Sequence, residues 1–200
     1  MVWRAVQVGC VLLVAISLAA PSLAQPAVEQ TAVRVLAPFN LGALRPGVQV
    51  AGRVSGTCFA ASIADQGRPD AWRCESGNRI MDPCFQGTQR SRVILACLND
   101  PWNLRLTVLT PDKELPRAQA NKADLRGALP WALELSNGTR CVFLTGATTA
   151  VAGMRANYGC VGGRMSIVGD IDRTLPLWRV LADDSVGVVL RLVGVRTAWY

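Results

Sequence analysis

Six cysteines, Cys58, Cys74, Cys84, Cys97, Cys141 and Cys160, lie in a chain that contains no histidine. A seventh, Cys10, falls inside an N-terminal segment ordered like an export signal. Arg4 is followed by an apolar run over residues 11–20, Pro21 breaks it, and Ser22-Leu23-Ala24 forms a small-residue cleavage site. Residues 1–24 therefore read as a cleaved signal peptide that removes Cys10, residues 25–32 as a flexible leader, and residues 33–200 as a single β-rich domain. An even cysteine set in an exported chain is a disulfide framework. No two of the six have C-x-x-C spacing, so neither a redox pair nor a zinc pair is built in. Six cysteines allow many pairings. The sequential set, Cys58 with Cys74, Cys84 with Cys97 and Cys141 with Cys160, is preferred because each bridge closes a short loop, worth about 3 kcal/mol for a loop of about 15 residues.

Short apolar runs punctuated by Gly, Pro, Asn and Asp predict strands over 33–37, 48–54, 92–98, 104–109, 131–135, 140–144, 177–181 and 186–197. Leu104, Leu106 and Val108 alternate with Arg105 and Thr107, which puts one face inward and one toward water. The expected fold class is mainly β: antiparallel sheets, sandwich or barrel-like, disulfide-braced, with one or two short helices. One short helical turn is expected after Pro69-Asp70, over Ala71 to Cys74, and residues 115–129 read as either a second short helix or a long loop. Asn137-Gly138 predicts a two-residue hairpin turn that pairs Leu133 with Val142 and Glu134 with Cys141. The turn also accounts for the glycosylation sequon at Asn137.

The chain carries a net charge of +7, and its basic residues are almost all arginine, scattered singly. A basic surface attracts anions, and acidic envelope polymers are more natural partners for an exported chain than nucleic acid, which needs clustered basic residues that are absent here. Beyond the signal no apolar run approaches the roughly 20 residues of a spanning helix, so no transmembrane segment is expected after cleavage.

Without histidine there is no Ser-His-Asp triad and no Cys-His pair. The chain also lacks a G-x-S-x-G elbow, an S-x-x-K, a G-x-G-x-x-G and a Walker loop. What remains for hydrolysis is carboxylate chemistry. Asp65, Asp70, Glu75 and Asp82 crowd the region of the first three cysteines, and Asp170 and Asp172 form a second pair. Turn-capping and arginine pairing explain most of these acids without catalysis. Two carboxylates are also too few for a calcium loop, so no metal and no cofactor is expected. Among the aromatics, Trp72 in a braced loop and Trp102 after Pro101 are the binding candidates, since an exposed tryptophan stacks on a sugar ring or anchors a partner.

Asp70-Ala-Trp-Arg-Cys74, Asp82-Pro-Cys-Phe85, Pro130-Trp-Ala132, Asn137-Gly-Thr-Arg-Cys141, Asn157-Tyr-Gly-Cys160 and Thr197-Ala-Trp-Tyr200 follow one another in this order. This set, from about Val54 to Tyr200, resembles a group of secreted bacterial proteins of uncharacterised activity. The resemblance implies a bacterial, exported, disulfide-bearing domain and carries over no functional residue. The expected function is a non-enzymatic secreted or cell-envelope (periplasmic) binding module for a polymer or protein partner. The alternatives are a carboxylate-dependent hydrolase of a glycan or similar polymer and a disulfide-braced inhibitor. A hydrolase requires two carboxyl groups facing one cleft at about 5 to 10 Å.

Overall fold

Alternation of period two dominates the chain, and the computed structural model, which describes residues 29–89, 92–117, 125, 127–184 and 189–200, is accordingly all-β, with no helix among the described residues. Five strands, β4 (Gln49–Ala61), β5 (Ala71–Ser76), β6 (Arg79–Gln89), β7 (Arg92–Leu98) and β8 (Arg105–Pro111), run as an antiparallel meander. Parallel pairing of β4 with β8 closes them into a barrel. β4 is long enough to pair with β8 through its first half and β5 through its second. It crosses between them at Gly56, where a Cβ would stand 2.1 Å from the Glu75 carbonyl oxygen, so only glycine allows the approach.

The second half of the chain forms β9 (Ala132–Leu135), β10 (Arg140–Phe143), β12 (Met154–Cys160), β13 (Ser166–Asp172), β14 (Arg179–Asp183) and β15 (Leu190–Trp199). Each pairs with the next, and β9 returns to pair with β15, so these six also close on themselves. Strand β1 (Ala32–Arg34) adds in parallel to the end of β15. The remaining short strands are the β2 (Phe39–Asn40) and β3 (Ala43–Leu44) hairpin, and β11 (Ala150–Val151) beside β12.

Alternation along β7 and β8 gives them two buried faces. Leu95, Cys97 and Leu109 turn into the first barrel with Cys58, Trp72, Cys74, Met81 and Cys84. Ile94, Ala96, Leu98, Leu106 and Val108 face the other way and pack with Phe85, Trp131 and Ala132, forming a seam between the barrels. Phe85 and Trp131 meet edge to face there at 6.0 Å. The interior of the second barrel holds Leu133, Leu135, Cys141, Tyr158, Ile167, Val195 and Tyr200.

All three disulfides are the sequential ones, Cys58–Cys74, Cys84–Cys97 and Cys141–Cys160. Each joins residues directly opposite on neighbouring antiparallel strands, so the bridges fasten strand pairs inside the barrels and do not brace loops.

Three expectations need correction. The helix expected at residues 71–74 is strand β5, because Trp72 and Cys74 share the barrel interior at spacing two while Ala71 faces the seam. The helix or long loop expected within 115–129 falls mostly outside the described residues, as do the signal segment and the first residues of the leader. The Asn137 hairpin uses a three-residue turn. Only Gly138 takes positive φ (83°), the Thr139 amide donates to Asn137 Oδ1, and the register shifts by one so that Cys141 lies opposite Leu133. Among the described residues, hydrogen-bonded structure also begins at Thr31, ahead of Val33. The Thr31 amide donates to the Pro176 carbonyl, its hydroxyl donates to the Val195 carbonyl, and the same oxygen accepts from the Trp178 amide.

Candidate functional site

The acids singled out from the sequence fall in three places. Asp65 and Asp70 lie in the β4–β5 connection, beside Asp82 of β6. Asp82 sits within a strand, at an irregularity in the β5–β6 register where a proline is tolerated, and not in a turn. Its side chain is fully buried; it accepts from the Ser62 hydroxyl and from the Ile63 amide at 3.2 Å, and Arg73 approaches to 3.8 Å. Asp65 is also fully buried, and neither of its oxygens has a hydrogen-bond partner. Burial raises its carboxyl from 3.8 to about 7; the nearby Arg68 pulls down, Asp70 and Asp82 push up, and the Gly67 amide opposes them only weakly. Burial raises Asp82 too, against the Ser62 hydroxyl, the Ile63 amide and Arg73. Asp70 is gripped by both ends of the Arg68 guanidinium, at 2.9 and 2.5 Å.

Glu75 is exposed on β5. Asp170 and Asp172 lie on β13 of the second barrel. Asp170 is exposed, whereas Asp172 accepts from the Thr174 hydroxyl and amide and from Arg179, which hold its carboxyl down at about 2. The cluster at Asp65 and Asp82 is therefore the one close grouping of these acids, and it is sealed from solvent. No three His, Cys, Asp or Glu among the described residues gather to hold a metal ion.

The two tryptophans separate as sharply. Trp72 does not occupy a loop: it is 4% exposed inside the first barrel, with its indole N–H donating to Gln86 Oε1 at 3.1 Å. Trp102 is half-buried, packed on one side against the seam cluster, and lines a cleft of about 930 Å³ between the β7–β8 connection and the β9–β10 hairpin. Local chemistry fixes it there. Asp100 Oδ1 accepts from the amides of Trp102 and Asn103 at 2.9 Å each, and Asp100 Oδ2 from the Asn103 side chain at 2.9 Å, which is an Asx turn around Pro101. From the second barrel, the Arg140 guanidinium stands 5.3 Å from the centre of the Trp102 ring, while the buried indole N–H has no acceptor. Arg196 of β15 donates to Glu134 of β9 on the same wall.

Sequence reasoning singled out Trp102 and missed its companions. Arg140, Arg196, Glu134 and Asp100 come together only when the hairpin of one barrel meets a loop of the other, and that contact has no sequence periodicity. The sole local sign was Asn99-Asp-Pro-Trp-Asn103, a turn signature that holds an aromatic at its apex. No described helix is long and apolar enough to cross a membrane. Comparison with known protein families, with curated proteins and with solved structures gives no match.

Proposed function

We propose that the chain is an exported, non-enzymatic binding module of the cell envelope or medium, which holds a polymer or protein partner in the cleft at Trp102. The observation that carries this reading is the cleft itself. An aromatic ring fixed by an Asx turn and faced by a guanidinium is a preorganised contact platform, and preorganisation lowers the cost of binding. The grouped carboxylates that a hydrolase would use, Asp65 and Asp82, lie buried away from solvent. The carboxylates that do line the cleft, Asp100 and Glu134, are each committed, one to the turn and one to Arg196. The export part of this reading is supported by the signal-like segment together with three disulfides, which persist in oxidising compartments such as a periplasm or the medium.

The test is co-sedimentation of the mature protein with purified cell-wall sacculi and washed envelope fragments, with wild type beside Trp102→Ala. Retention of wild type and loss of at least about tenfold in the variant is expected for a platform aromatic. Release of new reducing ends during the incubation, abolished by Asp100→Asn or Glu134→Gln, would replace the binding reading with the hydrolase.

A further inference from the structure

The cleft at Trp102 does not end at the β7–β8 connection. A second cavity of about 750 Å³ adjoins that loop, and the two share Asn99, Asp100 and Asn103 as lining residues. The Trp102 shelf and this second trough thus adjoin at the Asn99 to Asn103 loop, and together they form one candidate groove. Arg79 at the start of β6 and Arg105 at the start of β8 line the trough, both exposed, with Arg79 Nη2 donating to Asn99 Oδ1 at 3.4 Å. With Arg140 and Arg196 on the shelf, the groove holds four arginines against the two carboxylates Asp100 and Glu134, a surplus of two positive charges.

We infer that this groove binds a carboxylated polysaccharide laid across the Asn99 to Asn103 loop, with a sugar ring against Trp102 and uronate groups at Arg79 and Arg105. The inference rests on the binding reading above and gives it a ligand class. Three features of the groove select that class. Guanidinium forks match carboxylates in bidentate geometry. The amide side chains of Asn99, Asn103 and Asn137 offer both donors and acceptors, which suits sugar hydroxyls lying between the charges. The acidic side chains Asp100 and Glu134 within the same walls repel a backbone that carries a phosphate at every unit, but they tolerate a chain whose charges are spaced by neutral hydroxyl-bearing positions. Each cavity is itself the size of a small-molecule site, and their shared lining at Asn99, Asp100 and Asn103 lets one chain of several linked sugars reach both.

Oligogalacturonate, neutral dextran oligomers and duplex DNA are the probes, titrated by calorimetry against the mature protein. Oligogalacturonate is expected to bind and to lose affinity by on the order of tenfold between about 0.1 M and about 1 M salt, as the screening length falls from about 10 Å to about 3 Å. Arg79→Ala with Arg105→Ala is expected to weaken it by at least about tenfold. Arg191→Ala, which removes the same kind of charge elsewhere on β15, is expected to leave it unchanged. These arginines are exposed, so the variants fold. Equal, salt-insensitive binding of dextran that disappears in Trp102→Ala would overturn the carboxylate assignment and keep the binding module. Tighter binding of DNA than of oligogalacturonate at one salt concentration would overturn it in favour of nucleic acid. Failure of every probe overturns the polysaccharide, and retention on sacculi then decides the broader reading separately.

Discussion

The two barrels fill their interiors with different material. In the first, four of the eight buried residues of the interior cluster are cysteines, joined in two bridges around Trp72. In the second, a single bridge shares the space with aliphatic side chains and two tyrosines, whose hydroxyls donate to backbone carbonyls: Tyr158 to Pro130 at 2.7 Å and Tyr200 to Ala128 at 3.1 Å. The second barrel also receives a strap from residues 31–36. Thr31 bonds to its walls, β1 lies along β15, and the Tyr200 amide and carbonyl pair with Arg34 and Leu36. A five-stranded interior is too narrow for many large side chains and gains cohesion from covalent links. A six-stranded one has room for tyrosines and gains it from packing and long-range backbone bonds.

The largest effect that sharpens this contrast comes from the cysteines. Replacing Cys58, Cys74, Cys84 and Cys97 together by alanine removes two closed loops worth about 3 kcal/mol each on the chain-entropy account, a sum comparable to the whole stability of many domains. The first barrel is expected to unfold and to take the seam with it, since Ile94, Ala96, Leu106 and Val108 belong to its strands. Replacing Cys141 and Cys160 is expected to cost about 3 kcal/mol and to leave a folded protein. Urea unfolding followed by tryptophan fluorescence reads both. A second barrel that collapses without its one bridge, while the first survives without two, would reverse the comparison.

The strands of barrel edges and turns were legible in the sequence: β7 falls where the alternation of 92–98 puts it, and β8, β9, β10 and β14 within two residues of their predicted bounds. The strands β5, β6, β12 and β13 were not. Their short alternations are broken by glycine, proline and charge, as in Asp82-Pro83 of β6 and Gly169 of β13, and those breaks are bulges within strands, not ends of strands. Trp72 read as a loop residue for the same reason. Of the groove, only Trp102 was visible, because its turn is local while Arg79, Arg105, Arg140 and Arg196 converge from four strands.

Between the barrels lies a group whose ionisation tests how tightly the seam is closed. The Asp65 carboxyl titrates at 3.8 when unperturbed and at about 7 in the folded protein, burial being the main cause. Arg68, Asp70, Asp82 and Tyr200 are the charged or titratable groups around it. Because the folded value is raised, the native state holds a proton that the unfolded chain has released. The stabilisation is complete below about pH 4, falls as pH rises and is gone above about pH 7, a loss on the order of 4 kcal/mol. Asp65→Asn keeps the shape and cannot ionise, so its stability is expected to fall less steeply across that window, the slope that remains coming from the buried Asp82, and to exceed wild type at pH 8. Thermal melts of both proteins at pH 5 and pH 8 measure it; equal pH slopes would show that solvent reaches Asp65.

The smallest effect separates the two tyrosines of the second barrel. Tyr200→Phe deletes a hydroxyl whose acceptor, the Ala128 carbonyl, also receives Arg173 Nη2 at 2.6 Å, so that oxygen stays satisfied. The expected loss is about 0.5 kcal/mol. Tyr158→Phe withdraws the 2.7 Å donor from the Pro130 carbonyl, in a residue with no exposed surface, and the expected loss is about 1.5 kcal/mol. The ordering is informative because both rings stay in place and only a hydroxyl is lost. If urea midpoints rank Tyr200→Phe as the costlier change, the Arg173 guanidinium does not hold the Ala128 carbonyl on its own. The closing of the second barrel over its C-terminus then depends on the Tyr200 hydroxyl itself.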